Sequence, residues 1–328
     1  MPALLIAIIA IALFFDFLNG FHDASNIVAT VISSRAMSPR NALIMTAAAE
    51  LAGPFLFGVA VATTIGSEVV DPAAITSAVI VAALSSAILW NLFTWYFGLP
   101  SSTSHALIGG LVGAVAAGSG LETLNLQGLE KVLIALFVSP ILGLLLGFLV
   151  LKLIYFLARG AAPGINVLFR RGQLLTSLAL ALSHGTNDAQ KTMGIIAMAM
   201  VTTGYTSTFH VPWWVIAISA AAISLGTVMG GWRLIETLGG KFYKIRPVHA
   251  FGSQLTSAGI ILGAALLGGP VSTTQVVSSS IMGAGSADRL SKVRWTVARD
   301  IAVAWVLTIP VAALMAAGFY LVVARFLG

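Results

Sequence analysis

The chain has 328 residues, 58% of them hydrophobic and 9% charged; a water-soluble domain carries about 25% charged residues, which excludes bulk water as its main solvent. Its 17 Lys and Arg outnumber its 11 Asp and Glu, but they gather in short loops, where they orient membrane segments, and so do not indicate nucleic-acid binding. The absence of cysteine excludes disulfides, thiolate metal sites and cysteine nucleophiles. In chain order, Met1-Pro2-Ala3-Leu4 opens an apolar stretch with no basic segment before it and no small-residue cleavage site. Residues 3 to 34 therefore read as a retained first helix. Their second half holds Asn19, Gly20, His22, Asp23 and Asn26, and a glycine beside such polar residues predicts a broken helix with carbonyls and a carboxylate turned toward a cavity.

Residues 41 to 65 form the next apolar run and contain Glu50. Residues 74 to 120 carry Pro100-Ser101-Ser102-Thr103-Ser104-His105 near their middle, and 132 to 158 follow, uncharged from 132 to 151. That length exceeds the ~20 residues one spanning helix needs. A basic linker, 159 to 172, leads to 173 to 203, which include Gly185-Thr186-Asn187-Asp188-Ala189-Gln190-Lys191. Residues 213 to 238, 248 to 287 and 300 to 325 complete the series, the middle one with Pro270-Val271-Ser272-Thr273-Thr274-Gln275. Tryptophans such as Trp213 and Trp214 read as interfacial anchors.

Two motifs thus occur twice in the same order. Asp188 follows Asp23 by 165 positions and Pro270 follows Pro100 by 170. The basic loops at 35 to 40, 159 to 171, 241 to 246 and 289 to 299 are assigned to the cytoplasm, and the connections holding Glu68, Asp71, Glu122 and Glu130 to the outside. On that assignment residues 1–158 and 173–328 are two repeats of opposite orientation, joined by the linker 159–172. The loop at 97 to 100 lacks Lys and Arg, so the two stretches with Pro-Ser/Thr motifs are expected to be re-entrant hairpins whose tips meet near the midplane. Non-helical backbone at that depth is tolerated only against protein or a water-filled cavity. The fold class expected is an all-α integral membrane protein with two inverted repeats, broken helices and two such hairpins, a sequence outline of secondary transporters.

An Asp at mid-membrane costs about 2.5 to 3.5 kcal/mol on insertion scales. Two symmetry-related ones, Asp23 and Asp188, point to cation coordination or proton carriage, with His22, Asn26, Asn187 and Glu50 as further cation ligands. The competing reading is that these groups cap broken helix ends or bind one another across the repeats. Ser101, Ser102, Thr103 and Ser104, with Ser272, Thr273 and Thr274, start new hydrophobic segments. Helix N-termini with hydroxyls form an oxyanion cradle, although Ser and Thr are also ordinary N-caps. Opposed copies favour a tetrahedral anion held between the tips. His105 has Gln275 as its counterpart, which suits hydrogen bonding better than proton transfer, and Lys191, three residues after Asp188, is placed equally to pair with it on one helix face or to meet substrate.

At these residues the chain resembles the inorganic phosphate transporter (PiT) family: Gly20-Phe21-His22-Asp23-Ala24-Ser25-Asn26, Ser183-His184-Gly185-Thr186-Asn187-Asp188 and the two Pro-Ser/Thr motifs look like its duplicated signatures. The resemblance covers most of the chain and implies a multi-pass protein of the bacterial plasma membrane. It implies phosphate uptake coupled to Na⁺ or H⁺ by alternating access, with no other cofactor; where Na⁺ is the coupling ion, Asp23 and Asp188 are its expected site. Some bacterial relatives take a neutral metal–phosphate complex and a few carry sulfate. His22 stands where many members have Asn, and Gln275 where His is frequent. The expected partners are inorganic phosphate and the lipid bilayer, with a homodimer as the assembly to test.

Three other readings remain open: a sulfate permease, an intramembrane Ser/His/Asp hydrolase and a channel. The hydrolase conflicts with the symmetry of the hydroxyl clusters, because one nucleophile is enough for an enzyme. The channel conflicts with two midplane sites, which suit occlusion.

Overall fold

The computed structural model describes residues 1–70, 74–230, 235–236 and 245–327. The expected external residue Asp71, and Lys241 and Lys244 of the third basic loop, lie outside the described residues, as does most of the second part of the span 213 to 238. The described elements are helices, and the one bridge between Val70 and Leu124 is isolated. Among the described residues, four helices are long and apolar enough to cross a membrane, or five when a bent pair counts as one span.

Helix α1 runs over Ala3–Ser33. Helix α2, Pro39–Phe57, starts where Ser38 accepts a hydrogen bond from the Asn41 N–H, with Pro39 in the first turn, where its missing N–H costs nothing. It ends at Gly58, whose φ of +80° only glycine adopts freely. The chain there bends by 76° into α3, Ala60–Thr63, and a π turn, Thr64–Glu68. Helix α4, Ser77–Phe97, is capped by Thr76 and closed by Gly98 at φ +65°, and α5, Thr103–Gly118, follows. Helices α6, Leu126–Leu157, and α7, Ile165–Thr202, are the long connectors, α7 beginning inside the expected linker. The C-terminal half continues with α8, Trp213–Met229, α9, Pro247–Leu266, α10, Thr273–Asp288, and α11, Trp295–Leu327.

Two sequence expectations are corrected here. Helix α1 is continuous through Gly20 instead of broken there, and α7 is likewise continuous through Gly185. The glycines serve close approach: a Cβ on Gly20 would lie 2.0 Å from the Ile223 carbonyl oxygen of α8, and one on Gly185 2.5 Å from that of Glu50 in α2. The break falls in residues 41 to 65, at Gly58, which had been expected to form an uninterrupted span.

The halves exchange packing partners. Helix α10 packs on α6 and α5 on α11, while α1 packs on α8 and α2 on α7. Small residues make this possible: a Cβ on Gly113 would meet the Ala313 carbonyl oxygen at 2.0 Å, and one on Gly283 the Leu144 carbonyl oxygen at 2.2 Å. The opposite face of α6 exposes Ile134, Phe137, Ile141, Leu145, Leu149 and Leu153 at helical spacing. An apolar stripe of that length has lipid as its solvent. What this shell encloses is polar.

Candidate functional site

Asp23 on α1 and Asp188 on α7 are buried side by side with the N-termini of α5 and α10. Each of those helices opens with a capping serine. Ser102 Oγ accepts from the His105 N–H at 3.1 Å and Ser272 Oγ from the Gln275 N–H at 3.3 Å. This capping turns the next hydroxyls toward the carboxylates. Thr274 Oγ1 donates to Asp23 Oδ1 at 2.9 Å and Thr103 Oγ1 to Asp23 Oδ2 at 3.3 Å. Thr273 Oγ1 lies 3.4 Å from Asp23 Oδ2 and 3.3 Å from Asp188 Oδ2, so its single proton serves one carboxylate at a time. The tips also touch directly, through Ser104 Oγ donating to the Val271 carbonyl at 2.9 Å and Gln275 Nε2 lying 3.4 Å from His105 Nε2.

Around this contact stand two imidazoles and one ammonium. His22 Nδ1 is 3.0 Å from Asp23 Oδ1. His184 bridges three acids, with Nδ1 2.8 Å from Glu50 Oε1 and Nε2 3.5 Å from Asp188 Oδ2 and 3.9 Å from Asp23 Oδ2. Lys191 Nζ donates to Asp188 Oδ1 and Ser104 Oγ, both at 2.6 Å. Asn26 Nδ2 donates to Thr274 Oγ1 at 3.0 Å. The sequence pattern separated residues expected to bind an anion from residues expected to bind a cation; the structure brings the two sets together, since Thr103, Thr273 and Thr274 hydrogen-bond to Asp23 and Asp188.

Not every expected residue reaches the cluster. Ser101 Oγ donates to Thr94 Oγ1 at 2.8 Å, away from the carboxylates, and Ser102 and Ser272 are engaged as caps. Asn187 clasps the second tip, giving Nδ2–H to the Gly269 carbonyl at 3.2 Å and accepting from the Val271 N–H at 3.3 Å. Glu50 meets the site through His184. The competing capping reading accounts for Ser102 and Ser272 alone.

Sequence reasoning passed over Asp16, and it gave no role to Asn19 or His184, which it quoted only among the polar residues of the first helix and within the second signature. His184 had a visible signal: it precedes Asp188 by four residues, hence shares its helix face. Asn19 Nδ2 donates to Asp188 Oδ2 at 3.4 Å, and Asp16 is wholly buried with neither carboxylate oxygen hydrogen-bonded. Among the described residues, Asp16, Asp23, Glu50 and Asp188 are buried acids against one buried lysine, Lys191. Such an excess of negative charge in a low dielectric calls for cations or protons. One atom each of Asp23, His184 and Asp188 lie within 4.8 Å of one another, a spacing that can hold a metal ion.

Comparison with known proteins gives a consistent result. The profile described as "Phosphate transporter family" matches residues 19–163 and 158–316. A Bacillus subtilis protein described as a "probable low-affinity inorganic phosphate transporter" is 45% identical over 323 residues, covering 97% of each chain. A Rhizobium meliloti protein of the same description is 46% identical over 319 residues, covering 97% of this chain and 96% of its own. The fold superposes on a solved structure described as "The sodium-dependent phosphate transporter", with a TM-score of 0.91 at 25% identity, covering 99% of this chain and 100% of that one.

Proposed function

The chain belongs to the phosphate transporter family, and we propose that it moves inorganic phosphate across the cell membrane as a cation-coupled symporter working by alternating access. Membership of this family, together with several apolar spans, makes it a multi-pass membrane protein and a transporter, which sets aside the hydrolase.

The observation that carries the coupling is the engagement of both tips with Asp23: Thr103 from one half and Thr274 from the other point their hydroxyls at it. An anion arriving between the tips meets donors already engaged by carboxylates. At about 6 Å and an effective dielectric of about 20, each carboxylate repels a monoanion by about 3 kcal/mol. A cation bound to Asp23 and Asp188 cancels that repulsion and frees the threonine hydroxyls for the anion's oxygens. Phosphate binding then depends on the cation, which is what symport requires. The two repeats, expected to be inverted, supply the rocking halves around the fixed site.

The carboxylates also favour phosphate over sulfate. Near neutral pH phosphate keeps a proton that Asp23 or Asp188 can accept in a hydrogen bond, whereas sulfate has none to give. Sodium is supported by the sodium-dependent neighbour, and protons by the buried His22 and His184. The Asp23, His184 and Asp188 triplet supports a divalent metal entering with phosphate as a neutral complex.

Uptake of labelled phosphate and sulfate into proteoliposomes, with Na⁺ and pH gradients imposed separately, tests the proposal. Concentrative phosphate uptake driven by one of the gradients is expected. Uptake indifferent to both gradients, or preference for sulfate, would overturn it.

A further inference from the structure

Lys191 is the single Lys or Arg wholly buried among the described residues, and oxygens surround its Nζ. Asp188 Oδ1 lies at 2.6 Å, Ser104 Oγ at 2.6 Å and the Val271 carbonyl at 3.2 Å. A carboxylate, a hydroxyl and a carbonyl at the edge of a hairpin are ligand types that transporters offer to a monovalent cation. Here the cation is attached to the chain.

The other half builds the same constellation with a different ending. The position 165 residues before Lys191 is Asn26, and the position 170 residues before Thr274 is Ser104, the offsets that relate the two motifs. Lys191 reaches Ser104 across the halves, and Asn26 reaches Thr274 across them at 3.0 Å. Each follows its aspartate by three residues and so shares that aspartate's helix face. In the first half, however, the side chain is a neutral amide, and its buried Oδ1 has no hydrogen-bond partner. That oxygen, Asp23 and Thr274 are left to receive a cation from outside the chain.

We propose that Lys191 is a tethered coupling cation: its ammonium fills the cation position of the C-terminal half, so that each phosphate travels with one exchangeable cation fewer than two amide-ended halves would need. The inference rests on the reading of Asp23 and Asp188 as the coupling pair. A free monovalent cation brought within about 4 Å of this ammonium, at an effective dielectric of about 20, binds on the order of a thousandfold more weakly than beside a neutral group. The position on Asp188 Oδ1 is therefore closed to exchangeable cations while Lys191 occupies it, and a cation shared with Asp23 is left the Oδ2 side. The arrangement also gives the alternating cycle a charge that never leaves, ready to balance the Asp188 carboxylate when the carrier returns without phosphate.

The test counts charge. In proteoliposomes holding the full chain, the voltage at which phosphate flux reverses under known gradients gives the net charge carried per phosphate, whether the cation is sodium or a proton. Lys191→Asn should carry one more positive charge per phosphate than the unmodified chain, and Asn26→Lys one fewer. Either variant transporting with unchanged charge per phosphate overturns the proposal. Should Lys191→Asn not transport, equilibrium binding of labelled phosphate to the purified variant decides: recovery of binding as sodium or acidity is raised supports the tethered cation. Loss of binding that neither restores overturns it. Asp23→Asn separates this from the reading beneath it. If that variant keeps concentrative uptake with normal cation dependence, the coupling pair itself is wrong; if it loses coupling while Lys191→Asn keeps its charge ratio, the tethered cation alone fails.

Discussion

Thr274 Oγ1 donates a hydrogen bond to Asp23 Oδ1 at 2.9 Å, tying the start of one half's hairpin helix to the middle of the other half's first helix, 251 residues away. The contact joins the residue expected to bind the anion to the residue expected to bind the cation. On the coupling proposed above, loading one loosens its hold on the other.

Neutralising either aspartate should therefore abolish concentration while sparing the fold. Asp23→Asn and Asp188→Asn keep shape and much of the hydrogen bonding, and each should reduce phosphate accumulation in proteoliposomes to the level set by simple equilibration. Normal accumulation by either variant would make that aspartate structural.

Thr103 and Thr273 approach the same oxygen, Asp23 Oδ2, from opposite halves, at 3.3 and 3.4 Å. A hydrogen bond to a charged group contributes about 1.5 to 3 kcal/mol, so Thr103→Ala or Thr273→Ala should raise the phosphate dissociation constant by about tenfold to a hundredfold. Because the two share a partner, the double variant should depart from additivity. Isothermal titration with phosphate at saturating sodium measures all three; strictly additive losses would place the anion elsewhere.

Gly20 and Gly185 predict a stability effect without a chemical one. A Cβ at either would run into backbone, at 2.0 and 2.5 Å, whereas Gly259 in α9 has nothing within 4 Å. Gly20→Ala and Gly185→Ala should each lower stability by about 1 to 3 kcal/mol or more. Gly259→Ala should be neutral or stabilising by up to about 1 kcal/mol, as glycine is the poorer helix former. Thermal unfolding in detergent, followed by circular dichroism, compares the three.

Topology is open to labelling because the chain has no cysteine of its own. A Leu99→Cys variant at the first hairpin tip should resist a membrane-impermeant maleimide from the cytoplasmic side when the cavity is closed there. Ready labelling in that state would replace the hairpin with two full crossings.

The all-helical build was legible from the long uncharged runs, since a backbone in lipid must be satisfied internally and runs of about 20 residues fit helices rather than barrel strands. The meeting of the tips was legible from the repeat, because equal motifs at nearly equal offsets imply equal roles. What Gly20 and Gly185 do was not legible. A glycine beside polar residues breaks a helix or admits a neighbour, and only the position of α8 or α2 decides between them. The bridging of Glu50, Asp188 and Asp23 by His184 was hidden for a related reason: one link is four residues long, but the others join different helices. Asp16 gave even less away, since an apolar run with one acid in it does not say whether that acid faces lipid, water or a buried hydroxyl.

The crossed packing of α10 on α6 and α5 on α11 bears on how the chain can be divided. Cleavage in the turn between Leu157 and Ile165 would cut a peptide bond and leave those contacts in place. Neither fragment, however, has a groove of its own for its hairpin helix, so each made alone would leave that helix without its seat. Two fragments produced together in one cell should find each other and regain the intact carrier, while either produced singly should be degraded; on this packing each half is complete only beside the other.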